Sequence, residues 1–263
     1  MPLTFSHPAA VIPFGRRGLI LSALVVGSMA PDFPYFILAE GLYFFSHTIW
    51  GMIFWCLPMG FLVLWIFHKY LKFPMVSLLP LNHQKRLLLI TEKFSFRPVR
   101  RSLQIALSIM IGALTHIVWD SFTHKHGWMV QFFPGLNFPI FTLPGTPFSF
   151  PLYRLLQHTS TLIGGVLLAY WYLKWYRSSS TVETENSWFP APSTRIKILV
   201  GMASSALFFA LWLAFLAVPS FHNIYYIRLF FFDVTVISSS IFFVELCLYS
   251  AYWNHIRQLT LKT

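Results

Sequence analysis

Between Ala113 and Trp128 the chain reads ALTHIVWDSFTHKHGW. His116, Asp120 and His124 stand at i, i+4 and i+8, so on a helix they line one face, with Thr123 beside them and Gly127 as a helix stop. Imidazole and carboxylate without cysteine form a donor set that suits zinc, and in part iron or manganese. Mixed His/Asp ligation with an open position is the pattern of a hydrolytic centre, where the metal lowers the pKa of bound water to about 7. The plainer account of His116 and Asp120 alone is an intrahelical hydrogen bond that satisfies both groups.

Other polar residues share that level of the chain. Asp32 follows a proline in GSMAPDFPYF, His47 sits in FFSHTIWG at the start of an apolar run, and His158 opens another in RLLQHTSTLIGG. Together with His116, Asp120, His124 and His126 they fall at the ends of four segments, near one plane. A carboxylate beside hydrocarbon costs at least a few kcal/mol and normally faces a bundle interior with a partner. A divalent cation is the partner that fits this set. His68 and His126 fit the commoner role of a hydrogen-bonded imidazole at a membrane interface. Asp233 and Glu245 read as polar contacts inside a helix bundle, with a supporting role near the site open to Asp233. Lys125 and Arg154 serve either as interfacial anchors or as phosphate contacts.

The elements that must position these groups are membrane helices. Hydrophobic residues make up 56% of the 263 and charged residues only 10%, against about 25% charged in soluble domains. Mean hydropathy is +0.63. The runs Thr48 to Phe67, Ser102 to Trp119, Thr159 to Tyr176, Ile196 to Val218 and Leu229 to Trp253 approach or exceed the roughly 20 residues that cross about 30 Å of hydrocarbon. A sixth, interrupted run extends from Leu19 to Leu38. It follows Arg16 and Arg17 as a signal peptide would, but Pro31-Asp32-Phe33-Pro34 stands where a small-residue cleavage site belongs.

The net charge of +11 reflects topology and anionic headgroups rather than nucleic acid. Lys and Arg crowd residues 68–102, 174–197 and the C-terminus, while the alternate connectors carry only Lys125, Arg154 and Arg228, which places the basic connectors in the cytoplasm. Cys56 and Cys247 lie inside apolar runs, so neither a disulfide framework nor a thiolate cluster is expected. The Ser-, Glu- and Pro-containing stretch 177–195 reads as a cytoplasmic linker between a bundle over 1–176 and a helix pair over 196–263.

The segments MPLTFSHPAAVIPF, GSMAPDFPYF, SHTIWG and LTHIVWDSFTH resemble a bacterial membrane family, domain of unknown function 4184, over most of the first 180 residues. The order His, Pro-Asp, His-[ST], His-x3-Asp is also similar to metal-dependent inner-membrane hydrolases of the LexA-regulated type. More distantly it is similar to the zinc-dependent phospholipase C and S1/P1 nuclease fold, an all-helical enzyme with three zinc ions. That likeness implies a core zinc on Asp32, His47, His116 and Asp120, with Asp120 able to bridge to a second ion served by His7. The third site of that fold uses two histidines and a glutamate. Here His124, His126 and His158 are present but no glutamate stands at a comparable place, and the fold's N-terminal amine ligand has no equivalent, so one or two ions are implied.

His7 bears on topology. A straight helix from Pro8 to Ala30 would be about 35 Å long and would put His7 and Asp32 on opposite faces of the membrane. Pro13, Gly15 and Gly18 around Arg16-Arg17 offer a turn instead. Two arrangements follow: a re-entrant N-terminal hairpin with five full crossings and an outside N-terminus, or six crossings with His7 uninvolved.

The expectation is an all-α polytopic membrane helical bundle of five to six transmembrane helices, with the re-entrant hairpin as the variant that uses His7. It would sit in the bacterial inner membrane with its C-terminus in the cytoplasm. Its function is expected to be metal-dependent hydrolysis of lipid-like or lipid-linked phosphoesters near the outer leaflet. The metal would be zinc, one or two ions, on His7, Asp32, His47, His116, Asp120 and His158, with Asp120 and His124 in the catalytic roles. The rival is a non-catalytic metal-binding or transport protein. Membrane lipids are the expected partners, and nucleic acid is not.

Overall fold

The structure is a computed structural model and describes residues 4–16, 18–37, 39–90, 94–142, 144, 149–182 and 189–260. Parts of two expected features, Arg17 in the N-terminal turn and residues 183–188 of the linker, lie outside the described residues. The architecture is helical: α1 (Pro8–Val11), α2 (Leu21–Gly27), α3 (Ile49–Leu78), α4 (Val99–Thr123), α5 (Leu152–Ser178), α6 (Pro192–Ala217) and α7 (Ile224–Thr260). Helix α3 includes two π-helical stretches, Met52–Cys56 and Phe67–Leu71. Strands β1 (Pro139–Thr142) and β2 (Ser149–Pro151) pair antiparallel in a short ribbon between α4 and α5.

Among the described residues, four helices are long and apolar enough to cross a membrane: Ile49–Leu78, Val99–Phe132, Pro192–Ala217 and Ile224–Arg257. The chain is an integral membrane protein built as a helical bundle, with all-α architecture as expected. The expected fifth crossing, Thr159 to Tyr176, lies on α5. Its 27 residues reach about 40 Å, but Arg154, Gln157, His158, Lys174 and Arg177 reduce its apolarity, and it is not one of the four. The sixth run, Leu19 to Leu38, is not a single helix. Helix α2 has 7 residues, about 10 Å, and is followed by a 3-10 turn at Ala30–Asp32 and a short helix at Phe33–Phe36.

Two compact units make up the chain. The first comprises Met1–Pro34, Ala39–Leu64 and Ser95–Arg177. Here α2 packs on α4 backbone to backbone. A Cβ placed on Gly27 would collide with the Ile109 backbone, and one on Gly112 with the Leu24 carbonyl and Ser28 nitrogen. Without a hydrophobic drive between helices in lipid, such small residues are what permit close approach. Ser108 Oγ ties the start of α2 down by accepting from Ile20 N at 2.9 Å. Ahead of α2, the 3-10 turn Ile12–Arg16 and Gly18, with φ at 75°, reverse the chain. That positive φ is open to glycine at no steric cost. The N-terminal segment thus packs beside α2 and α4 and brings His7 next to Asp120, as the hairpin variant requires of His7. Ala30, Met52, Cys56 and Ala113 form the buried contact below the site, flanked by Phe33 and Ile117.

The second unit comprises Tyr35–Leu38, Trp65–Phe94 and Ser178–Thr263. Its main feature is the α6–α7 pair, joined by a short connection and hence antiparallel. Glu245 accepts a hydrogen bond from Ser205 Oγ at 2.6 Å, which is the interhelical polar contact expected of it. Ser77 Oγ and Tyr249 Oη are 3.0 Å apart, and Arg195 Nη1 donates to the Leu79 carbonyl at 3.1 Å.

Candidate metal centre

The first unit places four side chains around one point. Asp32, His47, His116 and Asp120 each offer one ligand atom, and these atoms all lie within 4.8 Å of one another. They arrive on three local structures. Helix α4 carries His116 and Asp120 one turn apart. Asp32 ends the 3-10 turn that terminates the α2 segment. His47 caps the short helix Tyr43–Ser46, just before Thr48 Oγ1 caps α3 by accepting from Gly51 N at 2.9 Å. Ser46 Oγ donates to the Pro31 carbonyl at 2.6 Å and so pins the His47 turn to the Asp32 turn.

The distances match coordination better than hydrogen bonding. His116 Nε2 stands 3.3 Å from Asp120 Oδ2 and 3.6 Å from Asp32 Oδ1. His47 Nε2 stands 3.7 Å from Asp32 Oδ1 and 3.8 Å from Asp120 Oδ2. Ligands about 2.0–2.2 Å from a tetrahedral ion are about 3.3–3.6 Å from each other. Within this buried set His47 Nε2, His116 Nε2 and Asp32 Oδ1 have no hydrogen-bond partner, and neither do His7 Nε2 and Asp120 Oδ1. His116 is 0% exposed and Asp32 2%. Buried polar atoms are rarely left unpaired, and one cation held in common could satisfy them together.

The remaining atoms of the same side chains are held. His116 Nδ1–H donates to the Ser28 carbonyl at 2.8 Å, and His47 Nδ1–H to the Tyr43 carbonyl at 2.8 Å. A carbonyl can only accept, so each Nε2 carries the lone pair and points inward. Thr4 Oγ1 donates to Asp32 Oδ2 at 2.6 Å, leaving Oδ1 for the centre. Outer partners of this kind fix the tautomer and orientation of ligands. Burial, reinforced by neighbouring His116, keeps the His47 imidazole below its usual pKa, and the same two causes push His7 down to about 3. Both rings are therefore neutral at neutral pH, the form that binds metal.

His7 lies beside this set. Its Nε2 is 3.5 Å from Asp120 Oδ1, and its ring stacks on His116 with centroids 3.9 Å apart. His7 and Asp32 thus share one site. His124 Nδ1 is 3.5 Å from Asp120 Oδ2 and 3.2 Å from the Asp120 carbonyl, and its side chain is the most open of the group at 22%. His158 is not brought to the cluster. It is exposed, and its ring stacks at 6.1 Å on Phe150. On α5 successive residues point about 100° apart, and it is Gln157 that turns inward, with Nε2 3.5 Å from His124 Nε2. His126 and Lys125 are also exposed.

Sequence reasoning missed Thr4 and Gln157. Thr4 stands three residues before His7, within one turn of it, which was a readable signal. Gln157 had none beyond adjacency to His158.

Among curated proteins and among solved structures, nothing matches the chain. The order of these site residues along the chain, from His7 through Asp32 and His47 to His116 and Asp120, falls inside the match to a family described as Domain of unknown function (DUF4184), which covers residues 1–251, and the chain belongs to that family.

Proposed function

We propose that the protein is a membrane-embedded, zinc-dependent hydrolase of phosphoesters on lipid-like substrates. The observation that carries this reading is the set of four converging ligand atoms, three of them buried without a partner and each of those three on a side chain held from behind by a second hydrogen bond. Two carboxylates and two imidazoles suit zinc better than the all-oxygen sets of magnesium or calcium. When bound, such an ion supplies Lewis acidity toward a phosphoryl oxygen and an acidified water.

The chain's own residues do the rest. Asp32, His47, His116 and Asp120 would hold the ion, and His7 stands beside Asp120. His124 keeps its proton on Nδ1, toward the Asp120 carbonyl, and its Nε2 lone pair faces the Gln157 amide only across 3.5 Å, a contact that a water can replace. There it takes a proton from the attacking water as the new P–O bond forms. It returns that proton to the leaving alcohol oxygen as the ester P–O bond breaks. From Arg100 to Asp120, α4 climbs twenty residues, about 30 Å, which equals a hydrocarbon thickness. With the basic end in the cytoplasm, the site lies at the outer boundary, the depth of a lipid headgroup.

Elemental analysis and a turnover screen test this together. Purified protein should hold one or two equivalents of zinc or a related metal, which Asp120→Ala loses, and metal-loaded wild type should hydrolyse a phospholipid or lipid-linked phosphate above the Asp120→Ala blank. Metal without turnover across phosphodiesters and phosphomonoesters leaves a non-catalytic metal protein. Equal metal in both proteins removes the centre itself.

A further inference from the structure

An apolar cleft of about 640 Å³ borders the cluster through His7, which lines the cleft and stands 3.5 Å from Asp120. Its walls are the N-terminal segment at Ala9 and Ala10, the end of α4 at Val118 and Phe122, and α5 at Leu156 and Ile163. Along α5 it extends from Leu156 to Leu167, eleven residues or about 16 Å. The hydroxyls on that wall face their own helix: Thr159 Oγ1 donates to the Leu155 carbonyl at 2.8 Å and Ser160 Oγ to the Gln157 carbonyl at 3.0 Å. The α5 wall is therefore apolar along its length, while Ser6, His7 and Thr123 supply the polar groups of the other walls.

The cleft is set by close packing. Gly164 sits where α5 meets the N-terminal segment, and a Cβ there would stand 3.0 Å from both Ser6 Cβ and the Ser6 carbonyl oxygen. Small residues, Ala9 and Ala10, form the opposite wall. Ile163 is 58% exposed and Val118 39%, so one side of the cleft is open to the hydrocarbon that surrounds these helices. Its volume is that of a site for one extended small ligand. A long apolar slot entered from lipid and ending at a cluster of metal-ligand type matches an amphiphile, tail along the slot and head at the cluster.

We propose that this cleft takes one hydrocarbon chain of the substrate, so that the phosphoester joined to that chain is delivered to Asp32, His47, His116 and Asp120 while any second chain stays in the bilayer. The assignment rests on the reading of the cluster as a phosphoesterase centre. Chain recognition then sets specificity: a phosphoester on a long single chain is bound better than its short-chain counterpart.

The test uses full-length protein, without metal, in liposomes containing a phospholipid with a photoactivatable diazirine near the end of one acyl chain. Peptide mapping should find label concentrated on residues 118–122 and 156–167, above that on the exposed α6 residues 207–216. Ala10→Trp, which fills the cleft from the wall one turn beyond His7, should bring cleft labelling down to the α6 level, and its metal content shows that the cluster still forms. In the metal-loaded enzyme the same change should raise the ratio of long-chain to short-chain KM by about tenfold, the worth of roughly two buried methylenes. Polyisoprenyl and straight-chain phosphates in parallel show which kind of chain is preferred. Label no denser in the cleft than on α6 overturns the proposal, as does a KM ratio that Ala10→Trp leaves unmoved. Concentrated label on a protein that turns over no phosphoester keeps the cleft and removes the phosphoesterase. Turnover without concentrated label or chain dependence does the reverse.

Discussion

The ring of His116 is locked by the main chain of another helix segment: its Nδ1–H donates to the Ser28 carbonyl across 2.8 Å. Ser28 is the C-cap of α2, and it comes within reach because Gly27 and Gly112 let the two backbones touch. Helix packing and ligand geometry are therefore one structural fact.

That dependence predicts the behaviour of Gly112→Val. The added side chain has no room against Leu24 and Ser28, and overpacking of this kind costs about 1–3 kcal/mol. Thermal unfolding in detergent should show lower stability, and elemental analysis should show lower metal content than wild type. Unchanged metal content would show that the α2–α4 contact does not orient His116.

Thr4→Val removes a hydroxyl of similar volume that holds Asp32 Oδ2 at 2.6 Å. Loss of such an outer partner costs about 10–100-fold in metal affinity. Chelator competition should read that drop while the melting profile of the protein stays close to wild type. An affinity equal to wild type would remove Thr4 from the support of the site.

His7 and His158 separate cleanly. His7 is 5% exposed and next to Asp120, whereas His158 is exposed and away from the cluster. His7→Ala should weaken metal retention, and His158→Ala should leave it unchanged. The reverse result would mean that α5 is rotated from the position seen here.

The reversal at Ile12–Arg16 and Gly18 also fixes an expectation about sidedness. With α3 to α7 as five crossings, a reporter before Met1 should be found outside and one after Thr263 in the cytoplasm. Both reporters outside would show that α5, the least apolar of the long helices, does not cross, whereas both in the cytoplasm would restore six crossings and strike His7 from the site.

Much of the site was legible in the residues. The spacing of His116, Asp120 and His124 follows from the 3.6-residue period of one helix, and hydrophobic run length alone located α3, α4, α6 and α7. The basic residues at Arg100 and Arg101 marked which end of α4 was opposite the cluster. Lys and Arg placement carries that information because charge does not sit in hydrocarbon.

Tertiary structure decided the rest. Period settles which residues of a helix share a face, but not which neighbour that face meets, so nothing in RLLQHTST could say that Gln157 rather than His158 would turn inward. The N-terminal path depended on a glycine at positive φ and on a two-glycine contact far apart in sequence, Gly27 with Ile109 and Gly112 with Leu24. Only when those backbones meet do the Ser28 carbonyl and Thr4 hydroxyl reach His116 and Asp32, because hydrogen bonds act over about 3 Å and local sequence cannot set that distance between separate segments.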